Sequence, residues 1–169
     1  PLLILSERGH EAGVAHLLAA GARVEVTDYA GHTPLFLECS GGHAPVVSRL
    51  LEAGARCDEA SAGQRTPLTQ ACVGGHGEVV SLLLERGACP DKPDYLNETP
   101  LFYAVAMGHA DVVSRLLEGG ADPNQTLGSY GPANLTCLQV ACQHGNADIL
   151  TRLLESSASV GGSSVGVDE

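Results

Sequence analysis

Residues 33–57 read TPLFLECSGGHAPVVSRLLEAGARC, and the frame returns as TPLTQACVGGHGEVVSLLLERGACP at 66–90 and TPLFYAVAMGHADVVSRLLEGGADP at 99–123. Pro34, Pro67 and Pro100 stand 33 residues apart, and Pro1-Leu2 extends the series backward. Gly21-Ala22, Gly54-Ala55, Gly87-Ala88 and Gly120-Ala121 keep the same step, as do Gly9-His10, Gly42-His43, Gly75-His76 and Gly108-His109. Three markers in one register define a structural repeat, and a repeat decides the architecture before any single element is assigned.

One unit can be read from its residues. Thr33 is placed to cap a helix, and Pro34 suits the first helical position because it has no N–H to satisfy. The spacing predicts a short inner helix from Pro34 to about Ser40, ended by Gly41-Gly42. Pro45 opens an outer helix whose Val46, Val47, Leu50 and Leu51 line one apolar face, and Gly54 stops it. The stretch from Ala55 to the next Thr-Pro-Leu then forms a finger-like loop. Such thin layers need small and medium aliphatic side chains, which agrees with 4% aromatic residues and no Trp.

This register resembles the ankyrin repeat, with its period of 33 and its Thr-Pro-Leu signature. The resemblance implies an all-α solenoid of helix-turn-helix layers with hairpin fingers, about five repeats with the first one truncated. The approximate units are 1–27, 28–60, 61–93, 94–126 and 127–158, followed by a Gly/Ser-rich tail or linker at 159–169. The last unit departs from the pattern. Thr136-Cys137-Leu138 comes 37 residues after Thr99, so the finger within LGSYGPANL (127–135) is expected to be longer and irregular. Neither end reads as a polar capping repeat, so the expectation is a piece of a longer array or multidomain protein. Pro1 in place of a starting Met points the same way.

Nine Lys and Arg against twenty Asp and Glu give a formal charge of −11. That field repels a phosphate backbone, so no nucleic-acid partner is expected; a basic peptide or basic protein surface fits better. No apolar run reaches the length of a membrane span, and no membrane insertion is expected. Free core thiols fit a reducing compartment. The expected place is intracellular, the cytoplasm first with the nucleus as the alternative, and the expected state is a monomer.

Positions that vary while the repeat pattern holds are free of the packing constraint. In ankyrin relatives such positions line the concave groove and the finger tips, which implies partner contact here. At the tips they are Tyr29 and His32, Arg65, and Tyr95, Leu96 and Glu98. On the inner helices they are Leu37 and Ser40, Gln70, and Tyr103 and Met107. Tyr29, Tyr95 and Tyr103 offer large contact area with few rotamers to freeze. Phe36 and Phe102 read as packing under the fingers, with partner contact as the other reading. Tyr130 sits in the inserted loop. Glu38 stands where other repeats hold Ala71, Ala104 and Ala141, so its carboxylate is expected to meet a basic ligand group or to turn to solvent. The finger acids are a weak pointer to an Arg- or Lys-containing ligand, tempered at Asp28 and Asp94, where ankyrin relatives often use Asp for internal hydrogen bonds.

Seven His and six Cys invite a metal or catalytic reading. The register absorbs most of them. His10, His43, His76 and His109 belong to the interhelical turn, and Cys39, Cys72 and Cys142 share one small, buried position. Cys137, Cys142 and His144 cluster without a fourth ligand. No phosphate-binding loop or nucleophile elbow is present. No metal, cofactor or enzymatic activity is expected. Asn124, in LLEGGADPN, resembles an ankyrin site that asparaginyl hydroxylation modifies, and it also reads as an Asn that stabilises its hairpin. The leading function is a protein–protein interaction scaffold. The alternatives are a substrate-recognition arm of a larger ubiquitin ligase or kinase, with catalysis elsewhere, and a purely structural spacer.

Overall fold

In the computed structural model the described residues are 1–127 and 135–161. They form five helix-turn-helix layers: α1 (Leu2–Glu7) with α2 (Glu11–Ala19), α3 (Pro34–Gly41) with α4 (Ala44–Glu52), α5 (Pro67–Gly74) with α6 (Gly77–Glu85), α7 (Pro100–Met107) with α8 (Ala110–Glu118), and α9 (Cys137–Gln143) with α10 (Ala147–Gly161). Each inner helix packs on the inner helix of the next layer, and each outer helix on the next outer helix.

The helix starts follow from the Thr-Pro pairs. The Oγ1 atoms of Thr33, Thr66 and Thr99 accept the N–H of Phe36, Thr69 and Phe102 at 3.1, 3.1 and 3.3 Å. Each such cap is worth about 1 kcal/mol. Thr136 adds a full capping box with Gln139, which replaces the missing proline. The ends follow from glycine. Gly42 and Gly75 sit at φ +72°, and a Cβ on either would run into the imidazole of the next layer, His76 or His109. Those rings donate from Nε2 to the carbonyls of Ser40 at 3.0 Å and Val73 at 3.2 Å, stitching one turn to the next.

The core is one continuous aliphatic strip. Leu35, Leu68 and Leu101 from the inner helices meet Leu50, Leu83, Leu116 and Leu153 from the outer ones, all buried. A leucine buried in this way contributes about 1.5–3 kcal/mol, but only if the neighbouring layer covers it. Phe36 is buried too and stacks on His32 with centroids 4.5 Å apart. Cys39 and Cys72 are buried, but Cys142 is exposed, because no element among the described residues lies over α9 on that side. Cys142 keeps the shared repeat position, and only its expected burial fails.

The inserted segment starts and ends in a short antiparallel pair, β1 (Thr126–Leu127) with β2 (Leu135–Thr136), in the register Thr126 to Thr136. Residues 128–134, Tyr130 among them, lie outside the described residues. Helix α10 continues to Gly161, into the stretch expected to be tail. On the outer side of the first layer an apolar hollow of about 440 Å³ is lined by Leu2, Leu3, Leu17 and Val26.

Candidate functional site

The fingers are built by their own acids. Asp28 Oδ1 accepts the N–H groups of Ala30 and His32, each at 2.9 Å, and Oδ2 faces His32 Nδ1 at 2.8 Å. These contacts, led by the His32 N–H, hold the Asp28 carboxyl below its ordinary value. Asp94 repeats the turn, accepting from Leu96 at 2.9 Å and Glu98 at 3.1 Å. Neighbouring tips are joined directly: Ala62 N–H donates to the Ala30 carbonyl at 2.8 Å, and Tyr95 N–H to the Gly63 carbonyl at 3.3 Å.

A second ladder runs lower in the fingers. Glu25 accepts the N–H of Arg56 at 2.8 Å, Asp58 that of Cys89 at 3.1 Å, and Asp91 that of Asp122 at 3.1 Å. Residues 25, 58 and 91 are equivalent in the repeat, as are 56, 89 and 122. Much of the finger acidity thus holds one finger to the next. Burial pushes the Asp91 carboxyl up, with the Asp122 N–H opposing.

The tips present an aromatic–small–aromatic row. Tyr29 and Tyr95 are exposed (relative accessibility 111% and 64%), and the equivalent residue between them is Ala62, followed by Gly63. The small side chains of the middle finger leave a depression of about 560 Å³. Tyr95 walls it, Leu37, Ser40 and Gln70 form its floor, and His32 and Arg65 reach it from the finger bases. Gln70 Nε2 donates to Ser40 Oγ at 3.2 Å across two layers. Six of the expected contact residues are therefore gathered in one hollow, with Tyr29 on the adjacent tip. Gly63 and Ser61 also line it. Sequence reading missed them because their contribution is the absence of a large side chain, and the signal was their place beside tyrosine in the repeat. Leu96 is half-buried at its tip, and Met107 is exposed at the far end of α7.

Two expected contacts are corrected. Tyr103 does not face the groove. It is 6% exposed, and its hydroxyl lies 2.7 Å from Asp94 Oδ2 and 2.6 Å from Glu98 Oε2 while accepting from Arg65 Nη2 at 2.7 Å. The Arg65 guanidinium also lies over the Tyr103 ring, 4.8 Å from its centroid. The tyrosine is long enough to reach back under its own finger, where two carboxylates and a cation converge. Burial and these carboxylates push its phenol up. Glu98 is held in this cluster, and Arg65 is shared between it and the hollow. Glu38 meets neither ligand nor solvent. It is fully buried, and its Oε2 lies 2.8 Å from His43 Nδ1.

A family model described as ankyrin repeats matches in three copies, over residues 2–94, 59–127 and 90–164. The chain belongs to the ankyrin repeat family. Ankyrin repeats are generally protein–protein interaction modules, and the fold is non-catalytic. A search of curated proteins returns no match. Among the described residues no helix is long and apolar enough to cross a membrane, and no group of three or more His, Cys, Asp or Glu is placed to hold a metal ion. Asn124 lies in an ankyrin finger and donates its backbone N–H to Asp122 Oδ1 at 2.9 Å.

Proposed function

We propose that the chain is a protein-binding module that holds an extended segment of its partner along the finger tips and the concave face, anchored by Tyr29 and Tyr95. The observation that carries this reading is the pair of exposed tyrosines flanking Ala62-Gly63 over a hollow of about 560 Å³. Packed helices lie about 8–10 Å apart, so two layers separate the tyrosines by roughly 16–20 Å. An extended peptide spans that distance in about six residues. The tips are already joined by hydrogen bonds, so little ordering remains to oppose association.

A substrate-recognition arm of a ubiquitin ligase or kinase would use the same surface, with catalysis outside this segment. A basic partner is a weaker element of the proposal. Glu25, Asp28, Asp58, Asp91 and Asp94 all accept internal N–H groups, so binding should depend only shallowly on salt.

The test is affinity capture with the full chain, the Tyr29→Ala/Tyr95→Ala variant and a control variant, Glu85→Gln, on the exposed side of α6. Partners retained by the parent and the control but lost by the double variant support the reading. Identical capture by all three removes the groove assignment. Repeating the capture at high salt separates tyrosine-led binding, which persists, from binding led by the acids, which washes off.

A further inference from the structure

The inner-helix position held by Glu38 is Leu5 in the first layer and alanine in the last three, at Ala71, Ala104 and Ala141. Glu38 lies fully buried on α3, the helix that packs on α1. One carboxylate oxygen receives His43. The other, Oε1, has no hydrogen-bond partner among the described residues, and neither has the buried hydroxyl of Ser6 on α1. His43 also departs from its own series. His76 and His109 reach back to carbonyls of the preceding layer, whereas His43 turns its Nδ1 to a carboxylate within its own layer. The first layer is held thinly, since the buried residues of α1 and α2 are Leu2, Ser6 and Val14.

We propose that the Glu38–His43 pair is a proton-dependent clasp that sets how firmly the first layer docks on the second. With one titratable proton shared between carboxylate and imidazole, the pair is neutral overall and can be buried. When that proton leaves, the carboxylate is a buried anion with the His43 N–H on one oxygen and only the Ser6 hydroxyl beside it. The cost falls on the α1–α3 contact, because that is where water can be let in.

The groups around the carboxylate are few. The α3–α4 turn presents His43 and α1 presents Ser6, while Cys39 on α3 and Cys72 on α5 are buried thiols in the same region. Among the described residues no other charge acts on Glu38. Burial raises its carboxyl above the ordinary 4.5, with His43 and, less strongly, the Ser6 hydroxyl opposing the rise. A raised folded-state value means that the stability from this group is present at low pH and is lost as pH rises through the raised value. Asp28, whose carboxyl is lowered, has the opposite dependence. The clasp is independent of the groove reading, and its readout needs no partner.

Hydrogen exchange measured by mass spectrometry on the full chain, from about pH 5 to about pH 8 and corrected for intrinsic rates, tests it. Protection of residues 2–19 should fall severalfold relative to residues 67–85 as pH rises. In Glu38→Gln that relative change should vanish. An equal pH dependence in the variant, or none in the parent chain, overturns the proposal. Should Glu38→Gln not fold, carbon-detected NMR of the parent chain decides. The Glu38 carboxyl should titrate above 4.5, in step with the loss of α1 protection. A carboxyl that titrates at the ordinary value, or apart from that loss, overturns it equally.

Discussion

Replacing Tyr103 with phenylalanine tests the placement of that side chain inside the stack rather than at the partner surface. The ring stays and only the hydroxyl goes, so packing against Phe102 and the core is kept. The phenol has one proton for two carboxylates, at 2.7 Å from Asp94 and 2.6 Å from Glu98, so it donates to one of them at a time, and it accepts from Arg65. Hydrogen bonds to charged groups contribute about 1.5–3 kcal/mol each. Two such bonds are lost. The loss is partly offset because Glu98 is half-buried and can be solvated, and because Asp94 keeps two backbone N–H donors and Arg65 Nε at 3.4 Å. The net cost should be about 2 kcal/mol. For a domain of this size that lowers the melting temperature by roughly 4–8 °C. Urea unfolding followed by circular dichroism, with a thermal melt, measures it. A change under about 0.5 kcal/mol, the range of an ordinary surface substitution, would refute the buried cluster. Partner capture by the folded variant should be unchanged.

Two further outcomes follow from backbone and burial. Gln64 occupies the left-handed position of its tip at φ +58°, where the first finger has Gly31 and the third has Asn97. An L-residue pays about 1–2 kcal/mol there, and glycine costs about 0.5–1 kcal/mol in chain entropy, so Gln64→Gly should stabilise by about 0.5–1 kcal/mol in urea unfolding. A destabilised variant would mean that the Gln64 side chain makes an interaction that outweighs its strain. The six thiols are free and should separate by reactivity. Burial pushes the Cys39 and Cys72 thiols up and that of Cys137 up to about 12, while Cys89 and Cys142 are exposed. Iodoacetamide at about pH 8, followed by peptide mapping, should label Cys89 and Cys142 first. Early labelling of Cys39 or Cys72 would show that the layers part readily.

The fold was legible because the same physics is stated several times. Thr-Pro starts, Gly ends and an aliphatic outer-helix face recur in one register, so a wrong reading of any one unit is corrected by the others. The shape of the candidate site was legible where a residue's place in the repeat fixed its exposure, as at the tips with Tyr29 and Tyr95 and on the inner helices with Leu37 and Gln70. It was not legible where a long polar side chain had a choice of direction. Tyr103 varies between repeats, which marked it as free of packing. In the structure it varies because one layer carries its own internal cluster of Asp94, Glu98 and Arg65. The clue was the presence of all three near it in sequence or in the adjacent finger. Glu38 was read as an anion seeking a ligand or water. Its partner, His43, is five residues away and belongs to a motif already assigned to the turn, which hid the pair. The finger acids were read as a pointer to a basic ligand; at 25, 58 and 91 their acceptor role depends on backbone N–H groups one layer on, and no residue type announces those.

The most direct measurement of the groove claim is site-specific photocrosslinking. A benzophenone amino acid placed at Tyr29 or Tyr95 of the full chain, and separately at Glu85 or Glu118 on the outer helices, is irradiated with the captured partner bound. Adducts should form from the two finger positions and not from the two outer-helix positions. Adducts from the outer helices alone would place the partner on the convex side and contradict the account.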